Sequence, residues 1–177
     1  MPHPLVHQLR FTRSEFSRAF TGVTDDDARK RLEPMNSISW IIGHLAWQEQ
    51  AYFLGYGQAQ RPFPHIHRDF ANGAPASTPA LQEVQSAWLA ITQAADPWLD
   101  SLTVATLQQN VVSQGKTIAY TYGNLLQRVI YHYWYHTGEI MAIRQLLGHS
   151  RLPQFVGALD RKAPYQPEQP LTADNAP

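Results

Sequence analysis

Cysteine is absent from this chain of 177 residues. Its absence excludes disulfide bonds, thiolate metal ligands and a cysteine nucleophile, so a bound metal must take nitrogen or oxygen ligands. Thiol chemistry at this protein would therefore need a thiol supplied from outside the chain. A protein without disulfides also fits a reducing compartment, and we expect it to be cytoplasmic.

An excess of either charge is also missing, because 14 Lys and Arg residues balance 14 Asp and Glu residues. No Lys/Arg cluster stands out, so nucleic acid is not an expected partner. The uncharged run over residues 34–48 is interrupted by polar residues and is too short to span a bilayer. The N-terminal MPHPLVHQLR lacks the apolar core of a signal peptide. We therefore expect no association with a membrane.

Apolar residues make up 44% of the chain, which is enough for an ordered domain with a sizeable core. Four long segments have apolar residues at helical spacing, at about 4–20, 38–56, 78–98 and 121–147. This pattern predicts an all-α four-helix bundle. We expect one domain over residues 1–160 and a proline-rich irregular tail over 161–177.

The connections are predicted from turn-forming residues. Proline and glycine punctuate residues 58–77, which predicts a loop that carries His65 and His67. Thr78-Pro79 is typical of a helix start. Gln114-Gly115, between two short β-forming runs, indicates a hairpin before the last helix.

Two histidines in the last long segment are four residues apart. On a helix this spacing places His132 and His136 on one face, where both can bind one metal ion. The general-base glutamate of an HExxH helix is missing because Tyr133 follows His132. His44 lies in the apolar stripe of the second long segment, so a bundle can bring it to the pair. Three neutral imidazoles with one open position are typical of a catalytic zinc-type site.

Two stretches carry a family resemblance: NSISWIIGHLAWQE and YGNLLQRVIYHYWYHTGEIMAIRQLLG. They resemble the DinB-like, also called YfiT-like, family of metal-dependent enzymes, in the order and spacing of an N-S-x-x-W-x-x-x-H helix and a late H-x-x-x-H-x-G-[QE]-I helix. The resemblance implies an up-down-down-up bundle with a divalent ion, Ni or Zn first and Fe or Mn next. Matched position by position, the ligands are His44, His132 and His136.

The resemblance also implies a function. Activities within the family include thiol transfer with low-molecular-weight thiols, so we expect a small-molecule partner, with such a thiol as the candidate, and S-transfer at the metal. Metal-assisted hydrolysis is the competing enzymatic role. A third reading is a non-catalytic metal-binding or dimerisation module. The family and the 20 aromatic residues predict a homodimer.

The role of Glu139 is left open by the sequence. It lies one turn from His136 and can fix an imidazole tautomer, or it can form an ion pair with Arg144 or another base. His65 and His67 are expected in solvent, with the rim of the site as the alternative; with Glu139 they are the candidates for a fourth ligand that would close a structural site. Tyr120, Tyr122 and Tyr133 are candidates for a hydroxyl near the metal.

Overall fold

The structure, a computed structural model, describes residues 2–166. This part of the chain is predominantly helical and carries one two-stranded antiparallel sheet, which confirms the all-α prediction. The elements are α1 (Pro4–Phe20), α2 (Asp25–Arg29), α3 (Ile38–Glu49), a π-helix (Gln50–Tyr56), α4 (Pro64–Phe70), α5 (Leu81–Asp100), α6 (Val104–Gln108), β1 (Asn110–Ser113), β2 (Lys116–Thr121), α7 (Tyr122–Leu146) and α8 (Leu159–Lys162).

The predicted C-terminal tail is described only in part. Its first two residues, Arg161 and Lys162, belong to α8. The next residue, Ala163, is hydrogen-bonded to α1, because the side-chain amide of Gln8 donates to its carbonyl over 2.9 Å. Residues 167–177 lie outside the described part of the chain.

Local capping explains where α3 and α7 begin. The Ser37 hydroxyl accepts the Trp40 N–H at the start of α3, over 3.1 Å. Thr121 and Asn124 form a reciprocal capping box at the start of α7. Gly148, with φ of +82°, ends α7, as expected for a residue without a side chain in the left-handed region.

Two predicted boundaries were wrong. The third long helix begins at Leu81 and not at Thr78-Pro79, because Asp25 of α2 accepts the Leu81 N–H over 2.8 Å and acts as a cap from outside. The expected loop over 58–77 contains α4, which begins with Pro64 at its first position. Tertiary contacts therefore decided these two helix starts.

The four long helical segments pack through one apolar core. Helix α1 lies along α7, α3 lies along α5, and α3 also contacts α7. The rings of Phe16, Trp88 and Tyr133 meet edge to face near the centre, with Phe16 to Tyr133 centroids 5.0 Å apart. The predicted hairpin is confirmed, with Gln114 and Gly115 at positive φ in its turn.

A buried ion-pair network joins these helices. We use this name for Arg13 of α1, Glu49 of α3, Trp88 and Asp96 of α5, and Tyr133 of α7. Arg13 Nε donates to Glu49 Oε1 over 2.8 Å and Arg13 Nη1 to Asp96 Oδ1 over 2.8 Å. Tyr133 donates to Glu49 over 2.7 Å and accepts from Trp88 Nε1 over 2.6 Å. Burial and the Glu49 carboxylate raise the pKa of Tyr133, so its hydroxyl stays protonated and donates.

Within residues 2–166, none of the helices combines the length and the apolar character that a membrane span requires.

Candidate metal centre

Three imidazoles from two helices converge between α3 and α7. His44 and His136 are each 6% exposed, and His132 is half-buried. One ring nitrogen from each lies within 4.8 Å of the other two, and His132 Nε2 is 3.0 Å from His136 Nε2. His132 and His136 meet because they are one turn apart on α7, whereas His44 reaches them only because α3 packs on α7.

Each imidazole is oriented by a hydrogen bond from its Nδ1. His44 Nδ1 is 2.8 Å from the Phe70 carbonyl, and His132 Nδ1 is 2.9 Å from Gln48 Oε1. His136 Nδ1 is 2.7 Å from Glu139 Oε2. All three partners are acceptors, so each Nδ1 carries the proton. The three Nε2 atoms therefore carry lone pairs, which is the tautomer that ligates metals.

The donor set suits a divalent ion. Lone pairs that face one another repel unless a cation accepts them, and Zn–N bonds of about 2.0–2.1 Å place two tetrahedral ligands roughly 3.4 Å apart. The separation of 3.0 Å between His132 Nε2 and His136 Nε2 is close to that value, and all three ligand nitrogens lie within 4.8 Å of one another. A group of three imidazoles in a chain without cysteine also leaves a bound ion its full positive charge.

Burial keeps two of the three imidazoles, His44 and His132, neutral. It lowers the pKa of His44, and the neighbouring His136 lowers it further. The pKa of His132 falls to about 3, through burial first and then through His136 and His44. Metal ligation requires the deprotonated nitrogen, so the protein environment favours the ligand form before any ion binds.

Aromatic rings lie on two sides of the three-histidine group: two tryptophans cover His44, and a tyrosine lies beside His136. Trp40 stacks on His44 with ring centroids 4.9 Å apart, and Trp47 stacks on the same ring at 5.2 Å. On the α7 side, the Tyr135 ring lies 5.0 Å from His136 and remains 70% exposed. The tryptophans limit the access of water to His44, so we expect a ligand to approach from the side of Tyr135.

The orientation of His44 depends on a glycine. A Cβ added at Gly43 would lie 2.6 Å from the Phe70 ring, so only glycine allows α4 to pack this closely on α3. That approach places the Phe70 carbonyl at His44. This contact was not predicted, because residues 58–77 were expected to form a loop; the signal for α4 was Pro64 at a first helical position. Gln48, which lies one turn after His44, was not predicted to contact the site either.

Of the other candidate residues, Glu139 lies at the three-histidine group and His65 does not. Glu139 contacts His136, and the alternative ion pair with Arg144 is not formed, because Arg144 donates to Ala19 and His149. His65 is half-buried beside Phe63, at 6.2 Å between ring centroids, and not in solvent as expected.

His67 is exposed, as expected, and lies at the rim, where it accepts the Trp47 Nε1–H over 3.1 Å. Neither His65 nor His67 belongs to the converging group. Tyr133 faces the ion-pair network, and Tyr122 donates to the Tyr56 carbonyl over 3.3 Å, so neither hydroxyl is directed at the three imidazoles.

The family follows from a comparison that covers most of the chain. The family model of the DinB superfamily matches residues 8–140. The chain belongs to the DinB superfamily. The match includes all three histidines and Glu139, and it confirms the family that the two motifs indicated. No curated protein matches the chain. This DinB protein thus combines family membership with a three-histidine group that is compatible with divalent metal binding.

Proposed function

We propose that this protein is a metal-dependent enzyme in which His44, His132 and His136 hold one divalent ion. The observation that carries the proposal is the orientation of the three imidazoles, each with its Nδ1–H directed at a protein acceptor. A set of core histidines that served packing alone would have no need to leave three Nε2 lone pairs facing one another. Nickel or zinc is the proposed ion, with iron or manganese next.

We propose thiol transfer as the reaction. A divalent ion at three neutral imidazoles would lower the pKa of a thiol beside it, so that the thiolate is available at neutral pH. The chain has no cysteine, so the thiol must be a small cosubstrate. Glu139 and Gln48 would hold their imidazoles in place, and Trp40 and Trp47 would keep water from the buried side.

Metal content tests the first part of the proposal. Protein purified without a nickel column should contain about one divalent ion per chain, measured by elemental analysis. Glu139→Gln should weaken metal binding by about 10–100-fold, because the amide holds His136 less strongly than the carboxylate does. Glu83→Gln, at an exposed position of α5, is the matched control. Metal-free protein, or equal affinity in both variants, would contradict the proposed site.

Turnover tests the reaction. Metal-loaded protein would be incubated with a panel of thiols and a chlorinated aromatic electrophile, and separately with esters and amides. We expect thiol-dependent loss of chloride from the electrophile. Cleavage of esters or amides without any thiol-dependent turnover would instead identify a hydrolase. A fourth protein ligand in a metal-bound crystal structure, with no turnover of either kind, would identify a non-catalytic metal-binding module.

We further propose an up-down-down-up arrangement of the four long helical segments and a homodimer in the cytoplasm. Large apolar side chains exposed on α7 support the dimer, with Tyr131 at 67% and Leu146 at 68% exposure. Sedimentation should give about twice the chain mass of 20.1 kDa. A species of the single-chain mass at micromolar concentration would contradict the dimer.

A further inference from the structure

An arginine without an acidic partner lies beside the three-histidine group. Arg128 precedes His132 by one turn of α7 and is exposed. No carboxylate in the described part of the chain forms an ion pair with it. Its guanidinium instead lies over the Tyr120 ring, 5.7 Å from the centroid. The ring holds the cation in place but leaves its N–H donors available to a ligand.

Tyr120, which lies under the guanidinium, has two further tyrosines as neighbours, Tyr52 and Tyr56. The π-helix presents Tyr52 and Tyr56, whose rings stack at 5.8 Å. Gln48 contacts His132, and Tyr52 lies one helical turn after Gln48, in the π-helix that follows α3. The two tyrosines therefore lie towards the part of α7 that contains Arg128. The bond from the Tyr122 hydroxyl to the Tyr56 carbonyl joins the π-helix to the start of α7. π-Helical turns occur frequently at functional sites.

The hydroxyl of Tyr120 belongs to the same group. Tyr120 is half-buried, and its pKa is raised by burial first and then by the neighbouring Tyr56 and Tyr52. Tyr120 therefore stays protonated at neutral pH, and its hydroxyl can donate a hydrogen bond, as the hydroxyl group of any tyrosine such as Tyr52 or Tyr56 can. Together with the guanidinium, they form a cluster of donors without a matching acidic acceptor in the described residues.

We propose that Arg128, with the hydroxyls of Tyr52, Tyr56 and Tyr120, binds a carboxylate on the thiol cosubstrate while the sulfur lies at the three-histidine group. This inference rests on the proposed function and names the class of thiol. Four residues of helix separate Arg128 from His132 by roughly 6 Å along the axis. Because of this separation, the site should favour thiols whose carboxylate is several bonds away from the sulfur. The guanidinium can bind such a carboxylate through two parallel hydrogen bonds.

A purely structural role for Arg128 makes a different prediction. If the guanidinium only packs on Tyr120, its replacement will change the stability of the hairpin end of the protein. It will not change the preference of the protein between a thiol with a carboxylate and one without. The discrimination between matched ligands is thus the deciding measurement.

The test uses protein loaded with Co²⁺ and follows the thiolate-to-cobalt absorption band during titration. The matched probes are 6-mercaptohexanoate and 6-mercaptohexanol, with 3-mercaptopropionate as the short carboxylate. We expect 6-mercaptohexanoate to bind about tenfold more tightly than the alcohol, and more tightly than the short acid. Arg128→Gln should remove the preference and leave the affinity for the alcohol unchanged. Arg128→Lys should keep part of it.

Arg151→Gln is the control, because Arg151 is an exposed arginine beyond the other end of α7. It should retain the full preference. Equal affinity for the two six-carbon thiols in the unsubstituted protein would overturn the inference, and so would an equal loss for both in Arg128→Gln.

A failure of the proposed function would look different. If no thiol produced the absorption band on Co²⁺-loaded protein, thiol binding at the metal would be wrong. Calorimetric titration with hexanoate and hexanol would then test the carboxylate site alone. Hexanoate binding that Arg128→Gln abolishes would support the site, and its absence would overturn it.

Discussion

The protein contains two buried polar clusters that differ in where their partners come from. In the ion-pair network, the charges of Arg13 and Glu49 and the hydroxyl of Tyr133 all find partners inside the protein. In the histidine group, the Nδ1 atoms are satisfied but the Nε2 atoms face only one another. The first cluster joins helices and is complete. The second leaves lone pairs that a proton or an external cation can satisfy.

The two clusters are also neighbours in sequence. Glu49 follows Gln48, the partner of His132, and Tyr133 follows His132 itself. The contact between Tyr133 and Glu49 therefore sets how α3 and α7 align, and this alignment brings His44 to the other two histidines. The ion-pair network, whose polar groups are all paired, thus holds the histidine group in position. The two clusters should respond differently to substitution.

Breaking the ion-pair network should have the largest effect on stability. Glu49→Ala leaves the Arg13 guanidinium buried without its main partner, so we expect the free energy of unfolding to fall by about 3–5 kcal/mol. Urea denaturation of metal-free protein measures this change. Arg29→Ala removes an exposed ion pair with Asp25 and should cost less than about 1 kcal/mol. Similar losses of unfolding free energy in Glu49→Ala and Arg29→Ala would contradict the larger contribution expected of the buried ion-pair network.

Removing one ligand should mainly affect metal binding. His44→Ala should reduce metal affinity by more than about 100-fold, beyond the loss expected for a residue that only orients a ligand. Adding His132→Ala should then cost little more, since the three imidazoles act as one unit. Metal content with and without chelator measures both, and His67→Ala at the rim is the control. Full metal occupancy in His44→Ala would exclude the three-histidine site.

A methyl group at Gly43 should disturb both stability and the site. Gly43→Ala forces the Phe70 ring away from α3, which should cost about 1–3 kcal/mol of unfolding free energy and weaken metal binding through His44. Gly138→Ala is the matched control, because a Cβ added there meets no atom within 4 Å apart from its chain neighbours and the nearby backbone of α7. We expect that substitution to stabilise the protein by about 0.5–1 kcal/mol in thermal and urea unfolding. The opposite order of the two would contradict this account of the α3–α4 contact.

The pH dependence should be the most gradual effect. Folding lowers the pKa of both His44 and His132, the latter to about 3, so the unfolded chain takes up protons first as the pH falls. Stability should be full above pH ~6.5 and decrease below it, by at most about 1.4 kcal/mol per pH unit for each histidine. Urea denaturation with chelator between pH 7.5 and 5 measures the slope. His132→Asn should reduce it, and a slope that is unchanged in that variant would assign the effect to other groups.

Local sequence determined several features of this protein. The bounds of α1, the starts of α3 and α7 and the Gln114-Gly115 turn depend on residues close in the chain, so helical spacing and turn rules predicted them. The adjacency of His132 and His136 is likewise a property of one helix. These features follow from backbone geometry within a few residues.

Tertiary structure decided the rest. His44 lies 88 residues before His132, and its meeting with the pair depends on how α3 packs on α7. The cap from Asp25 moved the start of α5, and the Phe70 carbonyl became a partner of His44 only through the space left by Gly43. Arg13 shows the same limit, since helical spacing assigns a charged side chain to the surface by default. It is buried because Glu49 and Asp96 reach it from two other helices, and no local pattern encodes a partner that lies far away in the chain.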